Sequence, residues 1–402
     1  MCYNNAYCLK KMGVMAMTIR LYDQQPELLT FEATVLSCER KGEGYAVVLD
    51  RTAFFPEGGG QGADHGTLGG ARVLDAHESG GEVLHLTDAP LSVGAQVEGR
   101  VDAQRRRSMS QQHSGEHIFS GLVHRLFGYD NVGFHIGSEA VTMDFSGPMT
   151  EEDVRRVELL ANEAVWANLP VEAFVPPRGE LAQMAYRSKK AIDGDVRIVR
   201  IAGIDTCACC GTHVRTTGCI GQIKVLGMQR YKGGVRISIL CGERALAEEN
   251  AQMEQVRRTS SVLSAPAHEI ADAAERLLAE RDALRAQTDA LALRIFEMQA
   301  APQAEEAVRV VACDVLPASL ARRAAGKLAQ GARFALVLVP REAGWSFALC
   351  SEAEDVHPAV RALCAAFGGK GGGPKDMAQG VLTGGTAEEI AAALRELAAA
   401  GA

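Results

Sequence analysis

No stretch of this chain stays apolar for anything near the roughly 18 residues that a membrane-spanning helix needs. Its apolar strings, Phe334 to Val339 among them, are of strand length, so no membrane association is expected. The first residues carry Lys10 and Lys11 but lack the apolar core of a secretory signal. Met17-Thr18-Ile19-Arg20-Leu21 reads as a second start, and residues 1–17 are expected to be a mis-assigned start or a disordered tail. With no secretory route, the eleven cysteines point to a reducing cytoplasm rather than a disulfide framework. An overall positive charge is missing too. A net charge of -8 argues against a protein that coats nucleic acid without specificity. What is present, 47% hydrophobic and 23% charged residues, is the balance of a soluble globular chain. At 402 residues it is too long for one ordinary core.

The expected fold class is α+β, in four parts after the leading segment. Residues 18–100 alternate short apolar runs with Gly-rich joints and read as a small N-terminal β-barrel or sandwich. Residues 101–243 read as an α/β core with an antiparallel sheet: a helix over Val101 to Phe127, another over Glu151 to Trp166, then strand-like stretches from Val196 onward. Residues 244–300 form a helical hairpin or coiled-coil linker broken at Pro266. In its second helix Ile270, Leu277, Leu284, Leu291 and Met298 recur every seven residues. Residues 301–402 alternate strand and helix as a small α/β domain.

Two half-motifs carry the chemistry. His113-Ser114-Gly115-Glu116-His117 places two histidines one turn apart on one helix face. Cys209-Cys210-Gly211-Thr212-His213 supplies a Cys-x-x-x-His from a loop between strands. Together His113, His117, Cys209 and His213 make a donor set of the kind that Zn²⁺ takes. Read as His-x-x-Glu-His, the first stretch also matches an inverted metalloprotease pattern with Glu116 as base, but that pattern wants a carboxylate where this chain offers a thiol. A hydrolase acting on a polyanion and a purely structural zinc site are the other two readings. Between Arg187 and Arg244 there are eleven Lys/Arg against four Asp/Glu, a local basic excess suited to a polyanion or to a solvated sheet face. Two glycine loops add to this. Gly58-Gly59-Gly60-Gln61 follows Asp50-Arg51-Thr52 and lets a ligand approach the backbone closely. Gly368 to Gln379, with Lys370 and Lys375, reads as an anion or RNA contact without the spacing of a nucleotide-binding loop.

These motifs, in this order, resemble the alanyl-tRNA editing proteins, free-standing relatives of the editing domain of alanyl-tRNA synthetase. The Gly368 to Gln379 loop resembles that synthetase's C-terminal DHHA-type domain, which marks the long form of the family. The resemblance implies a zinc-dependent aminoacyl-tRNA deacylase, not a ligase, that hydrolyses mischarged Ser-tRNA(Ala), with Gly-tRNA(Ala) a further candidate. It implies Zn²⁺ on His113, His117, Cys209 and His213, tRNA(Ala) with its mischarged 3′ end as partner, and a homodimer through the helical hairpin and C-terminal domain. It also implies Thr52 as the residue that recognises the serine side chain. Gly58, Gly59, Gly60 and Gln61 would line the tRNA end, with Arg105, Arg106, Lys370 and Lys375 as further substrate contacts. His135, as water-positioner or base, and Glu116 are the candidate catalytic groups; Glu116 falls to the side of the His113/His117 face, where a bystander or supporting role is the alternative to that of a base. Two departures stand out: Cys210 replaces a glycine of the family motif, and His135 stands where relatives often carry Gln.

Overall fold

The computed structural model describes residues 17–188 and 195–400; the leading segment singled out above lies, up to residue 16, outside them. The chain divides into two compact units, Met1–Gln255 and Val256–Ala402.

The first unit begins with strands β1 (Thr30–Lys41), β2 (Gly44–Leu49), β3 (Gly66–Leu68), β4 (Ala71–Ser79), β5 (Glu82–Thr87) and β6 (Gln96–Val101). They pair in the cyclic order β1-β2-β5-β4-β3-β6 and close as a barrel. The period-2 pattern explains the inward face: Phe31, Ala33 and Val35 are buried while Thr30 and Glu32 face out. Phe31 and Phe54 meet edge-on in the barrel core, 5.7 Å between centroids. Gly99 pairs with Phe31 across the sheet, and a Cβ there would lie 2.4 Å from the Phe31 ring.

His85 and its partner Thr52 are sealed inside. His85 is fully buried; its Nδ1 donates to the Val47 carbonyl at 3.1 Å, and its Nε2 therefore accepts from the Thr52 hydroxyl at 2.8 Å. Burial pushes the imidazole down to about 4. Since the unfolded chain takes up a proton near pH 6.5 and the folded one does not, this contribution is complete above pH 6.5 and is lost as pH falls toward 4. Denaturant titrations at pH 7 and pH 5 should differ by about 2 kcal/mol on this account. The His85→Gln variant should lose that much less over the same interval.

Helix α1 (Ala103–Phe127) follows, two residues later than its apolar period suggests, because Val101 completes β6 and Asp102 caps the helix by accepting from the Gln104 and Arg105 amides. Gly128, at φ 70°, ends it. An antiparallel sheet in the order β12-β13-β8-β7 is formed by β7 (Asn131–Ile136), β8 (Val141–Phe145), β12 (Ile223–Tyr231) and β13 (Gly234–Cys241). A smaller sheet of β9 (Val171–Phe174), β10 (Ile198–Ile201) and β11 (Asp205–Ala208) lies in the same unit. Helix α2 (Glu151–Trp166) spans the residues its period predicts and opens on a Thr150/Asp153 capping box. Ile118, Phe119, Leu122, Phe145, Val157 and Ile237 join these elements in one core.

Among the described residues, five cations of the local basic excess are paired: Arg236 with Asp144, Lys224 with Glu158, Arg200 with Glu172 and Arg215 with Glu27, acids from outside the stretch, and Arg187 with Asp205 inside it.

The residues expected to form the hairpin are helical, as α3 (Gly242–Leu263) and α4 (Ile270–Ala300). The seven-residue seam of α4 is not buried within the chain: Leu277, Leu284, Leu291 and Met298 are exposed, while Ala292, Leu293, Phe296 and Ala300 enter a core of the second unit. There β14 (Val308–Ala312), β15 (Phe334–Pro340), β16 (Trp345–Cys350), β17 (Gly369–Gly372) and β18 (Met377–Leu382) pair in the order β14-β15-β16-β18-β17. The sheet is covered on both faces, by α4 and α5 (Ala318–Leu328) on one, and by α6 (His357–Phe367) and α7 (Ala387–Ala400) on the other. This is why β15 is apolar without alternation. The segment read as a glycine loop is a hairpin of β17 and β18, with Lys370 and Lys375 exposed; Gly371 and Gly380 pack on the Phe347 ring, where a Cβ would not fit. Among the described residues no helix is long and apolar enough to cross a membrane.

Candidate metal centre

Helix α1 is buried around its whole circumference from Ser110 to Val123, polar residues included. Buried polar groups are tolerated when paired, and the pairing here builds the centre. Gln112 exchanges hydrogen bonds with the backbone of Cys241 at both ends of its amide. Gly115 allows the close approach, since a Cβ there would sit 2.3 Å from the Cys241 sulfur. Gly121 does the same against Asp205, and Gly211 against His113, where a Cβ would lie 2.1 Å from the ring.

The two half-motifs meet as the spacing suggests. One donor atom from each of His113, His117, Cys209 and His213 falls within 4.8 Å of the others. The Cys209 sulfur is 3.3 Å from Nε2 of both His113 and His213. Every Nδ1 is already held. That of His113 donates to Gln61 at 2.8 Å, that of His117 to Asp205 at 2.8 Å, and that of His213 lies 3.2 Å from the Ser114 hydroxyl. The amide and carboxylate oxygens fix the Nδ1–H tautomers of His113 and His117, the hydroxyl can serve His213 as donor or acceptor, and all three Nε2 atoms are left facing the cluster, as ligating histidines are commonly arranged. Asp205 is itself clamped by Arg187 through two 2.8 Å bonds. Burial works against its ionisation, but the bonds from His117 and Arg187 hold the carboxyl down at about 2.

The electrostatics suit a divalent ion. Burial alone would raise the Cys209 thiol, yet the imidazoles around it, His113 foremost, bring it well below the ordinary thiol range. Burial pushes His213 down to about 3, so it is neutral. A thiolate and three imidazoles form a borderline-soft donor set that zinc fits. Burial works against the charged form of His117, but the Cys209 thiolate and the bond to Asp205 hold its imidazole well above the ordinary range, so an ion that bound there would displace a proton. Cys210 is exposed and Cys207 buried; burial is the main cause that raises each thiol, and neither belongs to the four-donor group. Cys207 instead shares a second cluster with His117 and Asp205.

The other expected residues divide. The glycine loop does reach the centre. A Cβ on Gly59 would touch the Cys210 sulfur at 3.4 Å, and one on Gly60 would collide with Phe134, whose ring centroid is 5.1 Å from that of His113. Gln61 is buried and occupied by His113 and Thr212, so it orients a ligand and does not line a tRNA end. Glu116, buried, accepts from Ser120 and Asn131 on Oε1, and its Oε2 lies 3.9 Å from Nε2 of His117, the side a metal would take. His135 is exposed on β7, one residue on from Phe134 and hence on the opposite face, so the strand does not bring it to the centre. The Thr52 hydroxyl gives its proton to His85 and accepts from the Phe54 amide at 3.0 Å, so toward a further group it can act only as an acceptor, and the residue is fully buried. Arg106 is a buried partner of Asp64, whereas its half-buried neighbour Arg105 donates to the Ala63 carbonyl. Lys370 and Lys375 belong to the second unit.

Asp205, Arg187 and Ser114 escaped sequence reasoning. Asp205 stands four residues before Cys209, and Ser114 lies inside the histidine motif; a polar residue in an otherwise buried helix turn was the available signal.

Comparison with known proteins locates this centre. The family described as threonyl and alanyl tRNA synthetase second additional domain matches residues 196–238, which hold Cys209 and His213. The family described as tRNA synthetases class II (A) matches residues 21–105. The alanine–tRNA ligase of Ignicoccus hospitalis is 30% identical over 404 residues, covering 95% of this chain and 43% of the ligase. Over most of its length this chain is similar to part of alanine–tRNA ligases. The ligase of Pyrococcus abyssi is 31% identical over 386 residues, 90% of this chain and 42% of the ligase, and that of Natronomonas pharaonis 37% over 282 residues, 65% and 30%. The chain thus spans less than half the length of each of these relatives.

Proposed function

We propose that the protein is a zinc-dependent deacylase acting on alanine tRNA charged with serine, and that it works in trans. The observation that carries this reading is the set of three Nε2 atoms and one thiolate, each held from behind, in a chain similar over most of its length to part of alanine–tRNA ligases. The chemistry supplies a need: an alanine pocket cannot strongly reject an isostere that only adds a hydroxyl, so a second hydrolytic site must remove the error.

His113, His117, Cys209 and His213 hold the ion. A zinc bound there would polarise the ester carbonyl or lower the pKa of an attacking water. Gln61, Asp205 and Ser114 keep the imidazoles oriented. Glu116 is the general base: its Oε2 faces the ligand side of His117, while Ser120 and Asn131 anchor its Oε1. The Gly58 to Gly60 loop and Arg105 take the tRNA 3′ end, and Lys370 and Lys375 contact the tRNA body. The exposed α4 seam serves a homodimer.

The test is release of the amino acid from Ser-, Gly- and Ala-tRNA(Ala) by the zinc-loaded protein. Serine should be freed at least tenfold faster than alanine, and Glu116→Gln should cost roughly 10²-fold or more in rate with zinc retained. Four protein ligands are also the mark of a structural zinc, and absence of hydrolysis with tRNA binding intact would establish that reading instead.

A further inference from the structure

A cavity of about 500 Å³ opens beside the candidate metal centre, with His213 in its wall together with Asp23, Glu27, Arg197 and Arg215. Its size suits an aminoacyl group and part of an adenosine. The charges that line it are mostly spoken for. Glu27 and Arg215 pair with each other. Arg197 donates to the carbonyls of Cys209 and Gly211, both at 3.0 Å, and so braces the metal-ligand loop. Arg20, close by in sequence, is engaged by Glu78. Asp23 is different: among the described residues it has no hydrogen bond and no ion pair within 4 Å, although the charges of Arg197 and Arg20 act on it from farther off and favour its ionised form. It is partly buried, and that burial raises its carboxyl above the usual value.

A partly buried carboxylate whose oxygens accept no hydrogen bond, in a ligand-sized cavity, has room to take a cation directly. An aminoacyl ester carries one, the α-ammonium group, two bonds from the ester carbonyl that must reach the centre. We propose that Asp23 binds the α-ammonium group of the aminoacyl ester, and that this cavity is the aminoacyl subsite of the deacylase. The inference rests on the function proposed above. It makes the free amino group, common to all correct and incorrect aminoacyl-tRNAs, the handle that sets the ester against the centre. N-blocked chains, such as peptidyl-tRNA, are thereby refused.

The probes are two stable amides of 3′-amino-3′-deoxyadenosine, one carrying serine and one carrying glyceric acid, in which a hydroxyl replaces the amine at nearly the same size. Calorimetric titration of the zinc-loaded protein should show the seryl amide binding about tenfold or more tighter. Asp23→Asn should bring the two within about twofold, with zinc content and circular dichroism unchanged. Asp23→Glu, which keeps the charge, should retain a measurable preference. A preference that survives Asp23→Asn, or none in the parent protein, overturns the proposal. Since binding is read without turnover, a protein that prefers the amine but hydrolyses no aminoacyl-tRNA would instead overturn the deacylase reading and leave the amine site standing.

Discussion

Cys209→Ala is expected to abolish both metal binding and deacylation, with bound zinc falling below one tenth of an equivalent by atomic spectroscopy and the rate on Ser-tRNA(Ala) dropping by roughly 10³-fold or more. The size of the effect follows from the position of the sulfur. It is the only anionic donor of the four, it sits 3.3 Å from two imidazole nitrogens, and the imidazoles hold it as thiolate. Three neutral histidines would remain, a weaker set for an ion that is about to be desolvated. The adjacent Cys210 offers a rival thiol, as does Cys207, which lies with His117 and Asp205. Burial, however, raises both of these thiols, and Cys210 is raised further by the charge on Cys209. Cys210→Ala should therefore leave zinc near one equivalent. Zinc retained in Cys209→Ala but lost in the Cys209→Ala/Cys210→Ala pair would move the ligand to Cys210.

The four ligands were legible because the spacing of each half-motif is a local property: one helical turn for His113 and His117, one loop for Cys209 and His213. What holds them was not. Gln61, Asp205 and Ser114 reach imidazoles that lie 52, 88 and 99 positions away in the chain. Gln61 was visible after three glycines but invited the wrong task, since a polar residue in a Gly-rich loop suggests a ligand contact and only its burial shows that it serves His113. His135 failed for a related reason. The strand that carries it contains Gly133 and has weak strand character, so the alternation that turns His135 away from Phe134 could not be anticipated. Gly369–Gly372 is the extreme case: three glycines and a lysine have no strand signal, and their pairing is decided by β18 beside them and by Phe347 beneath. The heptad seam was read correctly as a pattern, but the pattern does not say whether its face meets this chain or another.

Arg106→Ala is expected to destabilise the first unit by about 3–5 kcal/mol, the cost of leaving a buried charge without its partner. That should appear as a fall in melting temperature on the order of 10 °C. The guanidinium is almost fully buried and donates to both oxygens of Asp64, which is buried in turn, as well as to the carbonyls of Ala53 and Pro26. Asp64 also accepts from the Phe55 amide at 2.7 Å, so the pair ties the first turn of α1 to the segment that runs from Thr52 toward the glycine loop. Removing the cation strands Asp64 and frees two carbonyls, and the loop that positions Gln61 loses its anchor. The neighbour supplies the control. Arg105 is only half buried and bonds a single carbonyl, so Arg105→Ala should change the melting temperature by no more than a few degrees while raising the KM for charged tRNA. If instead Arg106→Ala kept its stability and lost tRNA affinity, the arginine would be a substrate contact after all, and the buried pair would have to open in solution. Asp64→Asn/Arg106→Leu separates the terms further: with both charges gone, most of the lost stability should return, because the cost lies in the unpaired ion and not in the absence of the pair.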